Sequence, residues 1–127
     1  MRYLLDTHAA IWHLEDSPRL PSRTREIIDN NAGHLCICSA SLWEIAIKVS
    51  RGKLDLQFTL DELFDEVRDS DIDILQIEEE HLKRYILLPS IHKDPFDRLL
   101  ISTALAENLT IITADENVRK YTVPWVW

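Results

Sequence analysis

RYLLDTHAAIW, residues Arg2 to Trp12, sets a short apolar run directly against a carboxylate and then a stretch with helical spacing. Tyr3 to Leu5 fits a buried strand, and Thr7 to Leu14 fits a helix stopped by the turn chemistry of SPRLP. Asp6, at the junction, either caps that helix or belongs to a site assembled from distant parts of the chain. Acids at equivalent junctions downstream decide between the two.

The same alternation runs outward from that segment. Ser22 is suited to cap a second helix reaching about Asn31, and LCIC supplies a strand from Leu35 to Cys38. SASLWEIAIKVSRG follows with Leu42, Ile45, Ala46 and Val49 at helical spacing, and Gly52 ends it. Thr59 and Glu62 form a capping-box pattern that opens a helix to about Asp69. DIDILQI predicts a strand over Ile72 to Ile77, and Glu78 to Leu88 a helix halted before Pro89. DPFDRLLISTALAEN predicts a long helix with Pro95 at its first position. TIIT (Thr110 to Thr113) reads as a strand, Asp115 to Lys120 as a short helix, and VPWV as an edge strand. Apolar strands alternating with helices predict an α/β fold: one domain over residues 1–127, an α/β/α sandwich with a mainly parallel central sheet. In such sheets ligands bind beyond the carboxyl ends of the strands, so that rim is the place to look for acids.

Composition narrows the class. With 46% apolar and 28% charged residues in 127, the chain can bury a sizeable core, and two glycines and five prolines leave no room for a long disordered linker. Cys36 and Cys38 lie two apart in an apolar strand, facing the same way, which predicts reduced, buried thiols and a cytoplasmic compartment. No apolar run approaches the ~20 residues of a membrane span, and the start lacks a basic leader with a continuous apolar core. The formal charge is −8, from 22 acids and 14 bases. That balance argues against tight nonspecific nucleic-acid binding and is compatible with a cation site or a basic protein partner.

Four acids stand where the topology asks for them, each with an ordinary structural alternative. Asp6 follows the first strand and can cap the first helix. Glu44 lies early in the helix after LCIC, where it can cap with Ser41 or pair with Lys48. Asp97 comes three residues after Asp94, the natural N-cap, and complements the helix dipole. Asp115 follows TIIT and can cap the last helix. Two like charges at about 4 Å repel by roughly 4 kcal/mol at an effective dielectric near 20. Carboxylates gathered on one rim therefore call for a cation, and hard oxygen donors suit Mg²⁺ or Mn²⁺.

LLDTHAAIW, SASLWEIAIKVSRGKL, HKDPFDRLLISTAL and TIITADENV resemble, in order, the successive motifs of PIN-domain proteins, most closely the VapC-type toxins of bacterial toxin–antitoxin pairs. The resemblance spans nearly the whole chain from Asp6. It implies a Mg²⁺- or Mn²⁺-dependent endoribonuclease leaving a 5′-phosphate and a 3′-hydroxyl, with Asp6, Glu44, Asp97 and Asp115 as catalytic, metal-holding acids. Asp6, Asp97 and Asp115 would hold metal directly, Glu44 directly or through water. Thr113 matches a position that orders the site, and His8 falls at a variable one without a catalytic part. RNA substrate, a cognate antitoxin covering the acidic groove and a second copy of the chain are the implied partners. Lys48, Arg51, Lys53, Lys93 and Arg98 are candidates to guide an RNA backbone, Arg98 foremost because it adjoins Asp97. Trp12 and Trp43 are expected in the core; Trp125 and Trp127 are left between core and interface.

Other chemistries fit less well. A haloacid-dehalogenase-like phosphatase needs an aspartate where His8 stands. A nuclease built on His8 or His13 lacks a placed second group and would survive EDTA. Zinc at Cys36 and Cys38 lacks a second ligand pair. A non-catalytic PIN-fold binding module, or a PIN-type nuclease processing RNA or DNA without an antitoxin, remains compatible with the fold.

Overall fold

The computed structural model describes all 127 residues and contains one five-stranded sheet. In chain order the elements are β1 (Tyr3–Leu5), α1 (Thr7–Leu14), α2 (Ser22–Asn30), β2 (Leu35–Cys38), α3 (Ser39–Ser50) and α4 (Leu60–Asp69). They continue with β3 (Asp73–Leu75), α5 (Glu79–Leu87), α6 (Pro95–Glu107), β4 (Thr110–Ile112), α7 (Glu116–Arg119) and β5 (Trp125–Val126). The strand order is β3-β2-β1-β4-β5, and every pairing is parallel.

The period-two rule for strands divides the core into two layers. Leu5, Leu35, Ile37 and Ile112 point to one face, where they meet Ala9 and Ile11 of α1, Ile28 of α2, Ile45 of α3, and Leu63 and Val67 of α4. Leu4, Cys36, Cys38 and Ile111 point to the other, against Leu100, Ile101 and Ala104 of α6 and Val118 of α7. The α/β/α sandwich with a parallel sheet is thus present. Both cysteines are free and buried in one layer, and burial pushes the Cys38 thiol up to about 12. No helix is long and apolar enough to cross a membrane.

Local chemistry sets the helix ends. Thr59 and Glu62 form the reciprocal capping box. Gly52, at φ +66°, takes the left-handed turn after α3, and Asn108, at φ +57°, does so after α6. Ser22 does not cap α2: Pro21 occupies the cap, so Ser22 falls inside the first turn and its side chain makes no capping bond. The strand expected over Ile72 to Ile77 is trimmed to Asp73–Leu75, an edge strand paired only with β2. Trp43 is not a core residue; it is 62% exposed. The inward face of α3 runs through Ser41, Glu44 and Ile45, which turns Trp43 outward; Val49, in the last turn of the helix, is also exposed. Trp12 does pack on the core, and Trp127 packs on Trp12 at 6.0 Å between ring centroids.

Candidate active site

Leu5 pairs with Ile112, so the next residue of each strand leaves the sheet beside the other. Those residues are Asp6 and Thr113, and the Thr113 hydroxyl donates to Asp6 Oδ2 at 2.5 Å. Asp6 Oδ1 accepts the Ala9 N–H at 2.7 Å, so the residue caps α1 and faces the rim at once. Thr113 Oγ1 also accepts the Asp115 N–H at 3.0 Å, and Asp115 caps α7. One threonine therefore orients two acids from neighbouring strand ends. A cavity of about 260 Å³ opens there, lined by Asp6, His8, Trp12, Ala114, Asp115 and Trp127.

Thr7, the next residue after Asp6, donates to Glu44 Oε1 at 2.6 Å, which ties α3 to the same corner. Lys48 reaches Glu44 Oε2 at 3.1 Å, one turn along. Asp97 sits in the first turn of α6 behind the Asp94 cap. His92 Nε2 lies 3.2 Å from Asp97 Oδ2, and His92 Nδ1 lies 2.8 Å from the Tyr121 hydroxyl. That hydroxyl accepts from Arg98, so its hydrogen goes to His92 Nδ1 and the ring proton faces Asp97. Thr7, His92 and Tyr121 were not singled out by sequence; no local pattern marks contacts this remote along the chain.

Arg98, the foremost candidate for an RNA contact, has its guanidinium committed elsewhere. It donates to the Pro89 carbonyl at 2.8 Å and to Tyr121 at 2.9 Å, and lies 5.2 Å from the centre of the Tyr85 ring. In this arrangement it anchors the segment carrying His92. Lys48 does face an open groove, though shared with Glu44.

Burial and mutual charge act on the acids of this rim. Asp6 is 8% exposed, and burial raises its pKa against the opposing pull of Thr113, with Asp115 adding repulsion. Burial, then the neighbouring Asp94 and Asp115 charges, push Asp97 from 3.8 up to about 6. No three of the four predicted acids bring oxygens within 4.8 Å of one another. His92 lies against Asp97 and Lys48 against Glu44. The donor set still fits Mg²⁺ or Mn²⁺, which keep several waters and need only one or two direct carboxylates.

The one set that compact is Glu78, His81 and Glu107, close enough by distance to hold a metal ion. There, however, His81 Nδ1 accepts the Glu78 N–H at 3.2 Å, which leaves the ring proton on Nε2, 2.8 Å from Glu107. Both ring nitrogens are thus occupied, and the group is satisfied as a bridge between α5 and α6 without an ion.

A pH test follows from Asp97. Its raised pKa means that stability contributed by the neutral form is complete below about 3.8 and lost as pH rises through about 6. Allowing for its 24% exposure, ionisation at neutral pH costs about 1–2 kcal/mol. In EDTA, Asp97→Asn is expected to melt several degrees above wild type at pH 8, the gap closing towards pH 4. A variant that melts lower at pH 8 would show the charge to be a structural asset, not a strained metal ligand.

Residues 3–124 match the PIN domain family. Ribonuclease VapC22 of Mycobacterium tuberculosis (strain ATCC 25618 / H37Rv) is 27% identical over an alignment covering 95% of this chain and 92% of its own. Among solved structures, VapBC2 of Rickettsia felis bound to a DNA fragment from its promoter superposes with a TM-score of 0.75 at 18% identity, covering 100% of this chain and 99% of that one. DNA-bound VapBC of Salmonella typhimurium gives 0.73 at 16% identity, covering 99% and 97%. At these identities the two structures speak for the fold alone.

Proposed function

The chain belongs to the PIN-domain family, and on that premise we propose that it is a divalent-metal-dependent endoribonuclease, the toxin of a toxin–antitoxin pair held inactive by a cognate antitoxin. The observation that carries this reading is the rim itself: buried Asp6 and half-buried Asp97, both raised in pKa, with Asp115 repelling each of them. A Mg²⁺ or Mn²⁺ ion held by Asp6, Asp97 and Asp115 would supply Lewis acidity, activating water and neutralising charge on the scissile phosphate.

The protein's own groups have distinct parts. Thr113 fixes the Asp6 carboxylate, which would therefore hold an ion with little further loss of side-chain freedom. Thr7 and Lys48 hold Glu44 at the edge of the same corner, where it is placed to orient an attacking water. His92 donates to Asp97 Oδ2 and orients that carboxylate towards the rim.

The ribonuclease named among the relatives supports RNA as substrate, and the VapBC assemblies among the structural neighbours support an antitoxin partner. Leu82, Ile86 and Leu87 stand exposed on α5, apolar surface available to that partner or to a second copy of the chain. Incubation of the purified protein with end-labelled RNA tests the reading. Cleavage is expected with Mg²⁺ or Mn²⁺ and none in EDTA; persistence in EDTA would return the site to histidine chemistry.

A further inference from the structure

Beside the acids, and separate from the cavity at Asp6, lies an open groove of about 490 Å³ between α3 and the start of α6. Glu44 and Asp94 are its acids, and Lys48, Arg51, Lys53 and Lys93 line it with Phe96. Lys48 is matched by Glu44, but Arg51, Lys53 and Lys93 take part in no ion pair. On a chain of net charge −8, four cations against the two acids Glu44 and Asp94 make a local reversal of sign. At its rim Trp43 is 62% exposed and meets Phe96 edge-on, 5.5 Å between centroids at 72°. The contact with Phe96 steadies the indole while most of its surface stays in solvent.

We propose that this groove binds the single-stranded RNA segment next to the scissile bond, with Arg51, Lys53 and Lys93 on its phosphates and one unpaired base stacked on Trp43. The proposal rests on the ribonuclease reading and adds to it a subsite outside the acids, with a base contact at Trp43. Aromatic faces beside a basic track take bases of any identity, whereas a duplex keeps its bases stacked inside and offers none to Trp43. Placing one base outside Glu44 would also set the register of the backbone across the acids, since phosphate contacts alone let a strand slide.

The test measures affinity, so that it does not depend on cleavage. The Asp6→Asn protein in Mg²⁺ is titrated with fluorescent oligouridylate, an abasic strand of equal length, and a duplex, over a range of salt. Lys53→Ala/Lys93→Ala in that background should weaken oligouridylate binding and lower the salt slope by about 1.4, or about 0.7 per released contact. Trp43→Ala should weaken oligouridylate binding at least about fivefold with the salt slope unchanged, leave the abasic strand unaffected, and be partly rescued by Trp43→Phe. Wild-type affinity for oligouridylate in all these variants would overturn the proposal, whether or not RNA is cleaved. So would unchanged RNA affinity with weakened binding of an acidic peptide, which would assign the groove to a protein, or with an altered oligomeric state, which would assign it to a second copy.

Discussion

Asp6→Asn is expected to reduce divalent-dependent RNA cleavage by about a thousandfold or more while leaving the fold intact. The two halves of that expectation come from different atoms. Asparagine keeps an Oδ1 to accept the Ala9 N–H, and asparagine caps helices as well as aspartate does, so α1 still starts where it does now. The new amide faces Thr113, whose hydroxyl can turn to accept from it while still receiving the Asp115 N–H. A buried charge also disappears, which favours the fold. The charge is what the chemistry needs: charge stabilisation by bound metal is worth several kcal/mol, and each 1.36 kcal/mol is tenfold in rate. Cleavage of labelled RNA and far-ultraviolet circular dichroism, measured together, check both halves. Asp29→Asn, at an exposed acid on α2, is the matched control and should cleave as wild type. Equal cleavage by the Asp6→Asn and wild-type proteins would remove Asp6 from the site and with it the metal assignment.

The coincidence of roles at Asp6 explains why so much of the molecule was readable from sequence. Asp6, Asp94 and Asp115 each accept backbone N–H groups as N-caps, so cap chemistry located the helix starts. In a parallel sheet those starts are also the functional rim, and the strands Tyr3–Leu5 and Leu35–Cys38 were bounded by the same signals. Contacts that close through space left no such trace. Arg98 adjoins Asp97, which suggested a substrate contact, yet the Tyr121 hydroxyl and the Pro89 carbonyl claim it. Trp43 is apolar and one residue from a buried acid, but helical rotation puts neighbours about 100° apart, and Glu44 took the inward face. Periodicity ranks faces by hydrophobicity, and a face carrying a functional carboxylate breaks that ranking.

Mn²⁺ is expected to raise the melting temperature of the wild-type protein by about 10 °C at 100 times its dissociation constant. At that ratio a ligand specific for the folded state stabilises by about 2.7 kcal/mol. Unfolding entropy of about 2.1 cal/mol/K per residue gives roughly 0.27 kcal/mol/K for 127 residues, and the quotient is about 10 °C. The Asp6→Asn/Asp97→Asn protein should start higher than wild type in EDTA at pH 8, because it has lost two carboxylates that burial penalises, and should then gain almost nothing from Mn²⁺. A protein that is more stable without metal and blind to metal is hard to obtain by general damage, which lowers both values. The competing location is the Glu78, His81 and Glu107 group. Glu107→Gln keeps an oxygen to accept from His81 Nε2 and should leave the Mn²⁺ shift at its wild-type size. A shift that survives the double variant and vanishes in Glu107→Gln would move the ion to the far side of α6 and leave Asp6, Asp97 and Asp115 as helix caps and no more.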